Sequence, residues 1–100
     1  MEVTFRTDQL RKCYEQYREG QRAWGEAVAR KYIERINILK RCVTPQDVRS
    51  FRKLRLHKLT GKYEGRHAVT LHDRWRLLVT FEEGPPVQVR IGEVTQHYDD

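Results

Sequence analysis

The run Trp75-Arg76-Leu77-Leu78-Val79-Thr80-Phe81 most constrains the fold, because Trp75, Leu77, Val79 and Phe81 recur at every second position while Arg76 and Thr80 fall between them. A period of two belongs to a strand, so this segment needs a sheet with one covered face and one polar face. Two neighbouring runs fit the same sheet. Tyr63 to Leu71 precedes it, and Val87 to Val94 follows, with Val89 and Ile91 on one side and Gln88 and Arg90 on the other. Together they predict a three-stranded antiparallel meander with an apolar face and a basic face. His72-Asp73-Arg74 reads as a three-residue hairpin loop, which sets Val69 against Leu77 and keeps the apolar face continuous. A two-residue turn at His72-Asp73 would set Val69 against Arg76. Glu82-Glu83-Gly84-Pro85-Pro86 makes the next turn. It predicts Phe81 opposite Val87, Val79 opposite Val89, Leu77 opposite Ile91 and Arg76 opposite Gly92.

The apolar face needs a cover, and the first half of the chain supplies one. Val3-Thr4-Phe5 alternates briefly and is expected to add a short strand to one edge of the meander. Thr7 and Asp8 offer capping oxygens for a helix that buries Leu10, Cys13, Tyr14 and Tyr17 and ends at Gly20. A second helix is expected from about Arg22 to Lys40, with Trp24, Val28, Tyr32, Ile36 and Leu39 at helical spacing. The pair forms a helical hairpin whose aromatic stripe packs on the sheet. Thr44 caps a further short helix with Pro45 at its first position. The expected class is therefore α+β: an antiparallel sheet with an N-terminal two-helix hairpin on one face.

Composition narrows the partners. The chain has 100 residues, 34% of them charged, with a net charge of +6. That length, with no linker, repeat or low-complexity tract, predicts one domain over residues 1–100. The positive balance favours a polyanionic partner, nucleic acid before membrane, although charge of this size also serves solubility. Met1 to Leu10 mixes charges of both signs and is not expected to be a signal peptide. No apolar run approaches a membrane span, and Cys13 and Cys42 lack metal-ligand spacing. A cytoplasmic protein with reduced, inert, half-buried thiols is expected.

The basic residues gather in one stretch: Arg52, Lys53, Arg55, Lys58, Lys62 and Arg66 surround the strand-turn signals. Such a cluster grips backbone phosphates or, in the plainer reading, is a solvated loop. Gly92 opposite Arg76 leaves room above the guanidinium for a phosphate, or marks a bulge. His67 and His72 are assigned surface or hairpin roles.

The order strand, helix, helix, basic segment, meander carries Leu56-His57-Lys58-Leu59-Thr60-Gly61, then Trp75-Arg76 opening a strand, then His97-Tyr98. This resembles the HigB branch of the RelE/ParE toxin superfamily, over the whole chain and most specifically from Arg55 to Phe81. The resemblance implies a RelE/ParE-like domain acting as a ribosome-dependent mRNA endonuclease that uses no metal or cofactor. Its implied partners are the ribosome with its mRNA and a small helix-turn-helix antitoxin, through which alone it meets operator DNA. His57 matches the histidine of the family's Leu-His-x-Leu-x-Gly segment, and Arg76 matches the phosphate-contacting arginine. The family's tail ends acidic residue, tyrosine, histidine; here those columns hold Gln96, His97 and Tyr98. Thr60 stands where the family often has lysine, flanked by Lys58 and Lys62.

The implied reaction is attack of a ribose 2′-OH on the adjacent phosphate with loss of the 5′-oxygen. It needs a base, an acid and fixed cations. The candidate catalytic residues are His57, Arg76, His97 and Tyr98. The candidate RNA-binding residues are Arg52, Lys53, Arg55, Lys58, Lys62 and Arg66. Two other readings share the resemblance: a ParE-like inhibitor that binds DNA gyrase, and a catalytically weak member acting mainly within an antitoxin complex.

Overall fold

In a computed structural model, residues 1–97 are described. The elements in chain order are β1 (Glu2–Phe5), α1 (Asp8–Glu15), α2 (Tyr17–Trp24), α3 (Glu26–Arg41), α4 (Pro45–Ser50), β2 (His57–Lys58), β3 (His67–Thr70), β4 (Arg76–Glu82) and β5 (Gln88–Thr95). Single 3-10 turns occupy Arg52–Leu54 and Gly61–Tyr63. The sheet order is β1-β5-β4-β3-β2. All pairs are antiparallel except β1 with β5, which is parallel and sets Val3 beside Val89 and Phe5 beside Ile91. The expected short first strand is thus present at one edge.

The α-helical cover is divided into three helices, α1, α2 and α3, where two were expected. Gly20 does not end a helix. It lies buried inside α2, where an added Cβ would stand 3.2 Å from the Cβ of Ala29, so its missing side chain lets α2 and α3 approach. The reversal falls instead at Gly25, whose φ of 88° is one that L side chains rarely adopt. An earlier break at Gln16, in extended conformation, separates α1 from α2. Trp24 therefore belongs to α2, yet its ring still meets Tyr32 of α3 edge-on at 4.8 Å. The caps form as expected. Thr7 Oγ1 accepts from the Leu10 N–H, and Thr44 forms a reciprocal capping box with Asp47.

Leu10 and Cys13 of α1 and Val28, Tyr32, Ile36 and Leu39 of α3 pack on Val69, Leu77, Val79, Val89 and Ile91 of the sheet. The Tyr32 hydroxyl donates to the Leu10 carbonyl at 2.6 Å, so its burial leaves no polar group stranded. Cys13 and Cys42 are buried more completely than expected, and burial pushes both thiols up. They are held as inert thiols. Among the described residues no helix is long and apolar enough to cross a membrane.

The meander keeps its faces but shifts its register. The β3–β4 loop has three residues as expected: Val69 pairs with Leu77, and the Leu71 N–H donates to the Trp75 carbonyl. Strand β3 starts only at His67, because the segment before it turns at Gly61–Tyr63 and again at Gly65. In β4–β5 the pairs are Phe81 with Val89 and Val79 with Ile91, two residues away from the expected register. A shift by two keeps every side chain on its face, so the hydrophobic pattern alone cannot distinguish the two pairings. Beyond Ile91 the ladder slips by one residue, and Leu78 pairs with Glu93, Leu77 with Val94 and Arg76 with Thr95. Arg76 is therefore not opposite Gly92. Gly92 sits in the bulge, where an added Cβ would meet the Leu78 carbonyl at 3.3 Å. Its own carbonyl accepts from Arg6 Nε at 2.7 Å. The bulge turns Val94 toward the core and Glu93 and Thr95 toward the other face.

Candidate functional site

The sheet face away from the helices carries His57 and Arg76. Its direct cross-strand row runs His57, Ala68, Leu78, Glu93, and the row two residues along runs Thr70, Arg76, Thr95. This face is not bare. Leu59, Ala68 and Leu78 are buried on it as a small second cluster, and Tyr63 packs against them. The loop between β2 and β3 therefore folds back over the sheet, which the expectation of a continuous strand from Tyr63 had missed.

Tyr63 is the link between the two ends of the site. Its hydroxyl lies 3.3 Å from the His97 carbonyl, to which it donates. Lys62 Nζ and the Arg66 guanidinium stand 5.3 and 5.5 Å from the ring centroid, within cation–π range. Arg66 also reaches Glu93 at 3.6 Å across the strands. The tail is fixed from below as well: Thr95 Oγ1 accepts from the His97 N–H at 3.0 Å. Thr95 is opposite Arg76, so His97 comes to the end of the sheet where Arg76 stands. Tyr98 lies outside the described residues.

Arg76 is half-buried and curls toward its own hairpin. Its Nη1 donates to the carbonyls of Asp73 at 2.6 Å and Trp75 at 2.9 Å. His57 lies on the edge strand, two strands from Arg76, with Nδ1 3.4 Å from the Arg55 carbonyl. With ~4.8 Å between strands and ~3.4 Å per residue, the Cα atoms of His57 and Arg76 are roughly 12 Å apart. His57 lies on the β2 edge of this face, and His97 at the end of β5, where Tyr63 reaches it.

The basic residues divide between the two faces. Arg66 and Lys62 belong to the open face around Tyr63. Lys58 pairs with His67, which faces the helices, and so points the other way. Lys53 is drawn to Glu34 of α3 at 3.4 Å, and Glu34 also pairs with the buried Arg35. Arg52 and Arg55 are exposed on the turn that leads into β2, where Arg55 takes a φ of 48°. His67 is on the covered face at its edge, with its ring 5.1 Å from that of Phe81. Burial holds its pKa below the ordinary histidine value, helped by Arg49, Lys58 and His57. His72 is on the β3–β4 loop, 3.3 Å from Asp73. No group of three or more His, Cys, Asp or Glu side chains among the described residues is arranged to hold a metal ion.

Two residues with a place in this site, Tyr63 and Glu93, escaped the sequence reading. The apolar positions 89, 91 and 94, spaced by two and then three, signal the bulge that brings Glu93 to this face. The glycines at 61 and 65 bracket Tyr63 and mark a loop.

No protein-family profile matches the chain, and no curated protein matches it in sequence. Solved structures do match in shape. One is a YoeB/ParE toxin from Agrobacterium tumefaciens, with a TM-score of 0.60 and 14% identity over 98% of this chain and 100% of that one. Another is a YoeB-YefM complex from Staphylococcus aureus, with a TM-score of 0.57 and 18% identity over 98% of both chains. At these identities the likeness shows the fold: N-terminal helices on a mostly antiparallel five-stranded sheet, as in the YoeB/ParE toxins.

Proposed function

We propose that this chain is the toxin of a type II toxin–antitoxin pair, a metal-independent endoribonuclease that cuts ribosome-bound mRNA. Within the superfamily we assign it to the HigB branch, on the Leu56-His57-Lys58-Leu59 segment and Trp75-Arg76. The observation that carries the reading is the tail of β5. Its His97 is docked by Tyr63 and Thr95 beside Arg76, on an open face that also presents Lys62 and Arg66.

In this reading the scissile phosphate lies over the Arg76–Thr95 pair. The 2′-oxygen attacks phosphorus in line and the 5′-oxygen leaves, producing a 2′,3′-cyclic phosphate. The Arg76 guanidinium supplies fixed positive charge to the phosphorane, and Arg66 and Lys62 add to the field. His57 and His97, on either side, exchange the two protons, one accepting from the 2′-OH and one donating to the leaving oxygen. His57 on β2 and His97 just beyond β5 belong to strands three places, roughly 14 Å, apart in the sheet, a span that the RNA backbone covers. Tyr98 follows His97 directly and is a candidate donor or stacking residue. Arg52, Lys53, Arg55 and Lys58 would meet phosphates farther from the cut, on the β2 edge and the opposite face.

The partner is a small antitoxin. The Staphylococcus aureus structure is a YoeB-YefM complex, and a chain of +6 charge suits a partner that masks its basic surface. One observation favours the second reading, a ParE-like inhibitor without catalysis. Arg76 spends Nη1 on the carbonyls of its own loop, a structural task that needs no phosphate. Inducing the chain alone in growing bacteria and mapping message ends by primer extension separates the two. Cuts that appear only in translated messages support the nuclease. Growth arrest with intact messages and inhibited gyrase overturns it.

A further inference from the structure

A cleft of about 740 Å³ opens at the same end of the sheet as Arg76 and His97, but on the helix side. One wall is the Gly25 turn with Trp24, and the other is the β3–β4 loop with His72, Asp73, Arg74 and Trp75. Gln96 closes the end. We propose that this cleft is a base-binding subsite that takes one unpaired nucleotide of the RNA, adjacent to the phosphate held at Arg76. The proposal rests on the nuclease reading and adds to it where the substrate strand goes next.

Continuity with the site is built into the chain. Trp75 and Gln96 each adjoin in sequence a residue of the open-face pair Arg76–Thr95, and Gln96 also precedes His97 directly. Arg76 caps the carbonyls of Asp73 and Trp75, so the loop that walls the cleft is the loop the catalytic arginine steadies. A strand laid over Arg76 reaches the cleft by passing the end of the β4–β5 pair.

The lining suits a base better than a phosphate. Glu26 and Asp73 place two carboxylates against one guanidinium, Arg74, in a chain whose overall balance is +6. That local excess of negative charge repels a second phosphate and admits an uncharged ring. Both indoles are only half-buried and offer aromatic surface to stack on, which is sequence-tolerant because every base has a π-face. The Gln96 amide and the His72–Asp73 pair supply donors and acceptors for a base edge. Trp24 and Trp75 are the two tryptophans of the chain, so its intrinsic fluorescence reports on this cleft.

The test uses the full chain and a 2′-O-methyl tetra-adenylate, which cannot be cut because its 2′-oxygens are blocked. Saturable quenching of tryptophan fluorescence is expected. An otherwise identical oligomer with abasic positions, which keeps the phosphates, should not quench. Gln96→Ala combined with Arg74→Ala, both at exposed positions, should weaken the quenching titration about 10-fold while the melting temperature stays put. Trp24→Phe and Trp75→Phe each retain an aromatic ring and divide the signal between the walls. No quenching by the intact oligomer, or equal quenching by the abasic one, overturns the subsite. Cleavage of ribosome-bound message without quenching removes the subsite and spares the nuclease. Quenching without any cleavage upholds the binding cleft and removes the nuclease.

Discussion

The two faces of the sheet are built from the same strands and behave as different materials. On the helix side Val69, Leu77, Val79, Val89 and Ile91 are all fully buried beneath α1 and α3. On the other side Leu78 is equally buried, but under a loop: Leu59 and Tyr63 sit on it, and Lys62, Arg66 and Glu93 surround them. The covered face depends on regular elements and on side-chain volume. The open face depends on a bulge, a 3-10 turn and a His97 held by hydrogen bonds with Tyr63 and Thr95. That contrast is physical. The alternation that marks the first face reads the same after a shift of register by two, since each side chain stays inward or outward. The second face has no such tolerance, because a shift by two moves Arg76 to a different partner.

Adjacent residues on opposite faces give the sharpest test. Leu77→Ala should cost ~2–5 kcal/mol of stability, since Leu77 is fully buried in the main core and its truncation leaves a cavity. Denaturant unfolding measures it, and a variant that unfolds with the parent would mean that α1 and α3 do not cover this face. Arg76→Ala should do the reverse. In the nuclease reading cleavage should fall ~10²–10³-fold through lost charge stabilisation. Stability should fall by about 1 kcal/mol, for the lost bonds to Asp73 and Trp75. If Arg76→Ala unfolds as readily as Leu77→Ala, the arginine is a structural cap and the contrast between the faces collapses.

What was legible in the sequence follows the same division. The alternation from Trp75 to Phe81 identified β4, its inward face and the three-residue loop to β3, because burial leaves a mark at every second residue. The helical stripe through Val28, Tyr32, Ile36 and Leu39 likewise reported the face of α3 that is buried. Gly20 misled because a helix stop and a close helix contact call for the same residue; only its neighbour Ala29 on α3 tells them apart. The pairing of Arg76 was missed because two registers satisfy one pattern, and the bulge at Gly92 adds a residue that periodicity cannot count. At the candidate site, Arg76 and His97 lie at one end of the sheet, where Arg76 pairs with Thr95 and Thr95 holds the His97 N–H. His57 is two strands away from Arg76, and Lys58 faces the other side, because spacing along a basic segment does not encode where an edge strand starts.

Tyr63→Phe is a smaller intervention on the open face. The ring stays over Leu59, Ala68 and Leu78, and only the hydroxyl bond to the His97 carbonyl is lost. Stability should change by no more than about 1 kcal/mol. In the nuclease reading Tyr63 acts through the tail, so cleavage should drop several-fold in kcat with KM nearly unchanged, roughly what loosening one acid–base group produces. Amide exchange of His97 should quicken in the same variant. Unchanged exchange would show that Thr95 holds the tail alone, and the loop over the open face would then be packing without a positioning role.

The smallest effect expected lies at the rim of the covered face. His67 sits in β3 with its ring against Phe81 and its Nδ1 buried without a hydrogen-bond partner among the described residues. Burial first, then the charges of Arg49 and Lys58 with His57 beside them, holds its pKa below 6.5, so the folded state keeps it neutral where the unfolded chain takes up a proton. A histidine depressed in this way contributes stability that is present above pH ~6.5, the value of the unfolded chain. That contribution is lost progressively as the pH falls toward and through the lower folded value. His67→Gln cannot titrate and should lose less stability than the parent between pH 7.5 and 5, the difference between the two proteins cancelling the other titrating groups. Urea unfolding of both at the two pH values reads it. Equal losses would mean that water reaches the ring and that the rim of this face is as open as the sheet's other side.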